Sequence, residues 1–257
     1  MKKNIFIIAL ICISLAGNAQ IIKNNLLEGY KPGDKLEKSV YTEPKAAIQE
    51  NVWCGSYSRD PKSASTVSPI VGKELNYPGY NEKGASIQLG FQDGIKGTRA
   101  TMYGLTSSSQ YRKGTYYLAC LVNIPKLGNN KPSELIAFSG NYTGLAPRGN
   151  IQINRNENGK LVFTAGLGSE RIKSPKEYEF NQTYLLVLKA DYTNDQVELF
   201  INPTLTGEEP QADIIVKGKE KALKSAIKAI YIRNNHAYKG NIGNIRIANR
   251  WTDIASE

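Results

Sequence analysis

Histidine occurs once in the 257-residue chain, as His236, and cysteine three times, as Cys12, Cys54 and Cys120. A two-histidine metal site and the usual zinc clusters are therefore excluded. No block of five or more basic residues occurs, although the formal charge is +10. Charge scattered in this way reads as a soluble basic surface and not as a nucleic-acid footprint, while leaving room for attraction to acidic polysaccharide or an anionic envelope surface. Beyond the N-terminus there is no second long apolar run, so no transmembrane segment is expected in the processed chain. Internal repeats, low-complexity tracts and a dividing linker are also missing.

What is present begins with the first twenty residues. Lys2 and Lys3 form a positive start, Ile5 through Leu15 an apolar stretch, and Gly17-Asn18-Ala19 a small-residue boundary. This order is that of a secretory signal peptide, and the apolar stretch is too short for a spanning helix. Cleavage after Ala19 leaves 238 residues with a formal charge of +8. The expected layout is a signal peptide over 1–19, an extended leader or edge segment over 20–45, and one large domain over 46–257. The expected location is the periplasm, cell surface or extracellular space. In such an oxidising compartment Cys54 and Cys120 can pair. Against pairing, Cys120 lies in a run with Tyr116, Leu118 and Val122 that reads as buried on both faces, where a lone thiol behaves as a small hydrophobe.

From residue 85 onward, short β-branched and aromatic segments alternate with Gly, Asn, Pro and Asp punctuation, the pattern of an all-β chain. Strands are expected over 85–89, 99–105, 115–124, 134–142, 150–154, 160–167, 183–192, 196–201, 226–233 and 240–248. Val197, Leu199 and Ile201 share one face of their segment by strict alternation. Asn158-Gly159 supplies a tight hairpin between two such segments. Helical spacing is limited to 217–229, where Ala222, Leu223, Ala226 and Ile227 recur among lysines.

Six segments stand out in order: Gly55-Ser56-Tyr57-Ser58-Arg59-Asp60-Pro61, Leu75-Asn76-Tyr77-Pro78-Gly79-Tyr80, Gly140-Asn141-Tyr142-Thr143-Gly144 with Arg148-Gly149, Thr183 through Lys189, Leu199-Phe200-Ile201-Asn202-Pro203, and Ile242 through Ala248 before Trp251. In this order they resemble a bacterial group of concanavalin A-like, LamG-like jelly-roll domains. The resemblance covers roughly residues 50 to 254 and implies an antiparallel β-sandwich. It leaves function open, because lectins, adhesion modules, glycanases and lyases share that scaffold.

Each chemistry found on that scaffold requires its own set of residues. A glycanase strand of Glu-x-Asp-x-Glu form, which sets two carboxylates on one face, is absent. Glu177 and Glu179 come nearest but sit at a strand entry and read as a solvated pair. Asp191 and Asp195 read as turn residues. His236 falls in a polar hairpin tip without a visible acidic partner. The Gln-x-His signature of lyase variants is also missing. Calcium remains a possible ligand of the loop Phe91-Gln92-Asp93-Gly94, and no other cofactor is indicated. Aromatic rings beside amide and guanidinium groups suit a sugar, whose apolar face stacks while its hydroxyls find polar partners. The densest such mixtures are Asn141 and Tyr142 with Arg148, and Tyr57 with Arg59. The expectation is a non-catalytic module binding carbohydrate or glycoconjugate. A polysaccharide-cleaving enzyme with a divergent site, or a structural or adhesion domain, is the alternative.

Overall fold

The structure, a computed structural model, describes residues 21–36, 50–57, 70–90, 99–105, 111–128, 130–141, 146–234 and 238–255. In chain order its elements are β1 (Ile21–Lys23), β2 (Trp53–Tyr57), β3 (Val71–Gly72), β4 (Ser86–Leu89), β5 (Arg99–Gly104), β6 (Thr115–Leu127), β7 (Ser133–Ser139) and β8 (Pro147–Arg155). Then follow β9 (Leu161–Leu167), β10 (Glu170–Lys173), β11 (Thr183–Asp191), β12 (Gln196–Ile201), β13 (Ile214–Lys217), β14 (Ala229–Asn234), β15 (Tyr238–Ala248) and the short helix α1 (Trp251–Ala255).

The strands form two sheets with antiparallel ladders throughout. One has the order β13-β12-β11-β6-β15-β4-β3, with β1 added to β15, and the other the order β10-β9-β8-β7-β14-β5-β2. The chain passes repeatedly from one sheet to the other, as from β5 to β6 to β7, which gives an all-β jelly-roll sandwich. The segments expected as strands all appear. The segment 217–229 is not helical; it crosses the sandwich as bends, with Leu223, Ala226 and Ile227 buried. Asp195 organises that crossing, its carboxylate accepting from the Ala222 and Leu223 amides at 3.0 and 2.7 Å.

Period-2 alternation assigns each strand two faces. In β6, Tyr116, Leu118, Cys120, Val122 and Ile124 enter the core between the sheets. Tyr117, Ala119 and Leu121 of the same strand point outward, yet are buried too, in a second cluster with Leu185, Val187, Phe200, Trp251 and Ile254. The outer face of the eight-stranded sheet is thus closed by α1 and by the connection carrying Leu205 and Ala212. Each large apolar side chain so covered contributes roughly 1.5–3 kcal/mol. No disulfide joins Cys54 to Cys120, because they belong to different sheets: Cys120 faces the core, and Cys54 lies on the outer face of the seven-stranded sheet. Burial pushes the Cys120 thiol up to about 12.

Residues 21–36 also join the sandwich. Leu26, Leu27 and Leu36 are buried in the main core, and the Trp53 indole nitrogen donates to the Leu26 carbonyl oxygen at 2.6 Å. Among the described residues no helix is long and apolar enough to cross a membrane.

Candidate functional site

With one sheet sealed, the outer face of the seven-stranded sheet is the surface on which polar side chains converge. In β8, Ile151 and Ile153 enter the core, so Asn150, Gln152 and Asn154 must project outward. Glu134 of β7 stands beside them. Its Oε1 accepts from Asn150 Nδ2 at 2.5 Å and from the Tyr231 hydroxyl at 2.8 Å, while its Oε2 faces Arg233 Nε at 3.2 Å. Tyr231 and Arg233 alternate with the core residues Ile230 and Ile232 of β14, which fixes them to this face. Burial first, and then the Glu134 charge and hydrogen bond, hold the Tyr231 phenol well above its ordinary range, with Arg233 and Arg171 pulling in the other direction. Tyr231 is fully buried, whereas Glu134 and Arg233 keep part of their side chains exposed, so the cluster opens on their side.

Beside this cluster lie polar atoms without a partner. Asn150 Oδ1, Asn154 Oδ1 and Thr164 Oγ1 are buried and make no hydrogen bond, in residues only 2%, 4% and 2% exposed. Leaving such an atom unsatisfied costs about 1–3 kcal/mol. Their positions are linked by the β8–β9 register, which sets Asn150 opposite Gly166, Gln152 opposite Thr164, and Asn154 opposite Val162. The absence of a side chain at Gly166 lets its neighbours lie over it, since a Cβ there would come within 2.3 Å of Asn150 Oδ1 and 2.7 Å of Arg171 Nε. Amide and guanidinium therefore lie side by side over the glycine. Arg171 and Lys173 of β10 sit opposite Gly166 and Thr164, both exposed, and neither enters an ion pair among the described residues.

The residues singled out from sequence fall elsewhere. Arg148 lies across Gly140 and is committed to the fold: its Nε donates to Ser225 Oγ at 2.9 Å and its Nη1 to the Pro147 carbonyl oxygen at 3.2 Å. Tyr192 donates to the carbonyl oxygen of the same Ser225 at 2.8 Å. Asn141 is exposed, one residue beyond Gly140, with its backbone tied to Ser139 Oγ. Tyr57 ends β2 opposite Ala100 at the edge of the seven-stranded sheet. Tyr142, Arg59, His236 and the loop 91–94 lie outside the described residues. Glu177 and Glu179 brace the β8–β9 hairpin, Glu177 accepting from Asn158 Nδ2 at 2.7 Å and Glu179 pairing with Lys160. Asp191 accepts from the amides of Thr193 and Asn194 at 2.9 and 3.1 Å, the turn role expected of it. Among the described residues no group of three or more His, Cys, Asp and Glu side chains converges.

Sequence reasoning missed Glu134, Tyr231 and the outward face of β8. The alternation Asn150-Ile151-Gln152-Ile153-Asn154 was a usable signal, since it sets three amide side chains in a row. A cleft of about 670 Å³ lies between 22–30, Asn51–Trp53 and Tyr103. None of the unpartnered buried atoms lines it, and the Trp53 indole is already satisfied there.

No protein family and no curated protein matches the chain. Among solved structures it is similar to Trypanosoma rangeli sialidase, at 16% identity and a TM-score of 0.44, over 73% of this chain and 28% of that one. It is similar to the heptameric SAP-like pentraxin from Limulus polyphemus, at 12% identity and a TM-score of 0.45, over 66% and 79% of the two chains. A third likeness is to a carbohydrate esterase from the Shiga toxin-encoding bacteriophage phi24B, at 14% identity and a TM-score of 0.47, over 70% and 86%. The chain spans little more than a quarter of the sialidase's length. At these identities and scores the likenesses carry nothing about activity, and the sandwich assignment rests on the chain's own two sheets.

Proposed function

We propose that this is an exported, non-catalytic carbohydrate-binding module of the concanavalin A-like, LamG-like type, and that the sugar lies on the outer face of the seven-stranded sheet. The observation that carries the reading is the row of buried, unpartnered acceptors, Asn150 Oδ1, Thr164 Oγ1 and Asn154 Oδ1, beside the Glu134–Tyr231–Arg233 cluster. Sugar hydroxyls donate and accept at close spacing, so they match such a row better than an apolar ligand does. Glu134 is committed to donors from Asn150, Tyr231 and Arg233, which suits a group that positions others more than one that carries protons. Export rests on the Lys2-Lys3 start, the apolar stretch and the Gly17-Asn18-Ala19 boundary.

A glycan array probed with the mature protein, with and without calcium, tests this reading. For a glycan that binds, Asn150→Ala and Gln152→Ala should each weaken affinity about tenfold, the cost of one or two lost hydrogen bonds. Melting curves must show both variants folded. Unchanged affinity in both removes this face from the site.

A further inference from the structure

We infer that the ligand of this face is an acidic sugar, whose carboxylate is taken by the free edge of the Arg171 guanidinium. This rests on the carbohydrate reading above and narrows it. Arg171 Nη1 donates to the carbonyl oxygens of Gly168 and Glu170 at 2.8 and 2.6 Å, which uses both hydrogens of that nitrogen. The two bonds fix the plane of the group. Nε and Nη2 then form the remaining edge, and no hydrogen bond or ion pair engages that edge among the described residues. A guanidinium edge of this kind is a two-pronged donor whose spacing matches a carboxylate.

Its position separates it from an ordinary surface arginine. Arg171 Nε and the unpartnered Asn150 Oδ1 lie side by side above Gly166. The ligand must therefore present an anion to the one and a donor to the other, at neighbouring atoms. A sugar acid does so, because its carboxylate adjoins ring hydroxyls. Thr164 Oγ1 offers a further acceptor, and opposite it stands Lys173, about 7 Å from Arg171 along the strand. Glu134 is the acidic group described within the cluster, and Arg233 already faces it. The free charge on this side is thus that of Arg171 and Lys173, and it is positive.

The test uses calorimetry on the mature protein with three probes: an oligogalacturonate, the same oligomer after its carboxyl groups are reduced to alcohols, and a sulfated oligosaccharide of equal length. The uronate should bind at least tenfold more tightly than the reduced oligomer. Arg171→Gln should abolish that difference by bringing the affinity for the uronate down to that for the reduced oligomer. Lys126→Gln, the same loss of charge on an exposed residue of β6, should leave the preference intact. Equal losses in the two variants would show general charge attraction and overturn the assignment. Preference for the sulfated probe over the uronate would overturn the carboxylate. If the reduced and acidic oligomers bind alike and Asn150→Ala weakens both, the acidic-sugar inference falls and the carbohydrate site stands. If none of the three binds, the inference falls, and the glycan array decides the carbohydrate reading separately.

Discussion

At the scale of single residues, the informative feature is polarity placed where it costs stability. Thr164 buries a hydroxyl that finds no partner, on a strand whose opposite face is wholly apolar. Valine has nearly the same shape without that group. Thr164→Val should therefore raise the stability of the ligand-free protein by about 1 kcal/mol, read from urea denaturation, while weakening any glycan that binds the face. A loss of stability instead would mean that the hydroxyl is satisfied within the fold and is not held in reserve for a ligand. Part of this was legible from sequence. The alternation in 150–154 says that Asn150, Gln152 and Asn154 share a face, but alternation is the same whether that face meets water or a recess. The partnership of Glu134 with Tyr231 was not legible at all, since 97 positions separate them and only the pairing of β7 with β14 brings them together.

At the scale of elements, the two outer faces have different fates. The closing element of the eight-stranded sheet is α1, five residues long, whose Trp251 packs on Phe200 and Tyr117 at ring-centroid distances of 5.1 and 6.1 Å. Its indole nitrogen also donates to the Thr206 carbonyl oxygen at 3.0 Å, tying the helix to the connection that covers the sheet with it. So short a helix has little stability of its own, and tertiary packing maintains it. Trp251→Ala should cost about 3–5 kcal/mol in thermal or denaturant unfolding. An effect below about 1 kcal/mol would show that the cover is dispensable, against the packing described. The strands β10 and β13 were not anticipated, and the reason is physical. Both are four residues long and stand at sheet edges; β10, Glu-Arg-Ile-Lys, carries a single apolar residue, and β13, Ile-Ile-Val-Lys, is apolar but too short to show an alternation. Arg171, the residue given the anion, lies on one of them.

At the scale of the whole molecule, one buried ion pair joins distant parts. Arg246 Nε meets Glu82 Oε2 at 2.8 Å, with side chains 6% and 1% exposed. Glu82 also accepts from the Asn25 amide at 2.6 Å, and Arg246 Nη1 donates to the Asp253 carbonyl oxygen at 3.1 Å. The N-terminal segment, β15 and α1 therefore meet at one ion pair. Glu82→Ala would leave the arginine buried without its counter-charge and should destabilise the protein by about 3–5 kcal/mol, in a single transition that includes the N-terminal segment. Hydrogen exchange would reveal the contrary case, in which residues 21–36 open alone and the remainder keeps its protection. Alkaline pH offers an independent probe. Tyr80, Tyr117, Tyr231 and Tyr238 are held above the ordinary phenol range by burial first, aided by Glu82 at Tyr80, Glu209 at Tyr117 and Glu134 at the other two. The folded state keeps protons that the unfolded chain releases above about pH 10, so this contribution is fully present below that pH and is lost as pH rises. Melting temperature should fall steeply beyond about pH 10, and the phenolate absorbance of these four should appear only with unfolding. Their ionisation in the intact fold would show the phenols open to water.

The sequence by itself determined the strand content, because period-2 alternation and turn residues act over a few positions. It determined that Cys120 lies in a strand buried on both faces, and it assigned Asp191 and Asp195 to a turn, where the Asp191 carboxylate bonds nearby backbone amides while that of Asp195 reaches the distant Ala222 and Leu223 amides. It also carried the export expectation, which depends only on the order of charge, apolar stretch and small residues. Tertiary structure decided which outer face would be covered and which would gather polar groups. It laid Arg148 over Gly140 with its Nε on Ser225, and it set Arg171 beside Asn150 above a glycine. Those outcomes depend on strand order and register across the sheets, which are fixed by packing between residues far apart in the chain and leave no local mark.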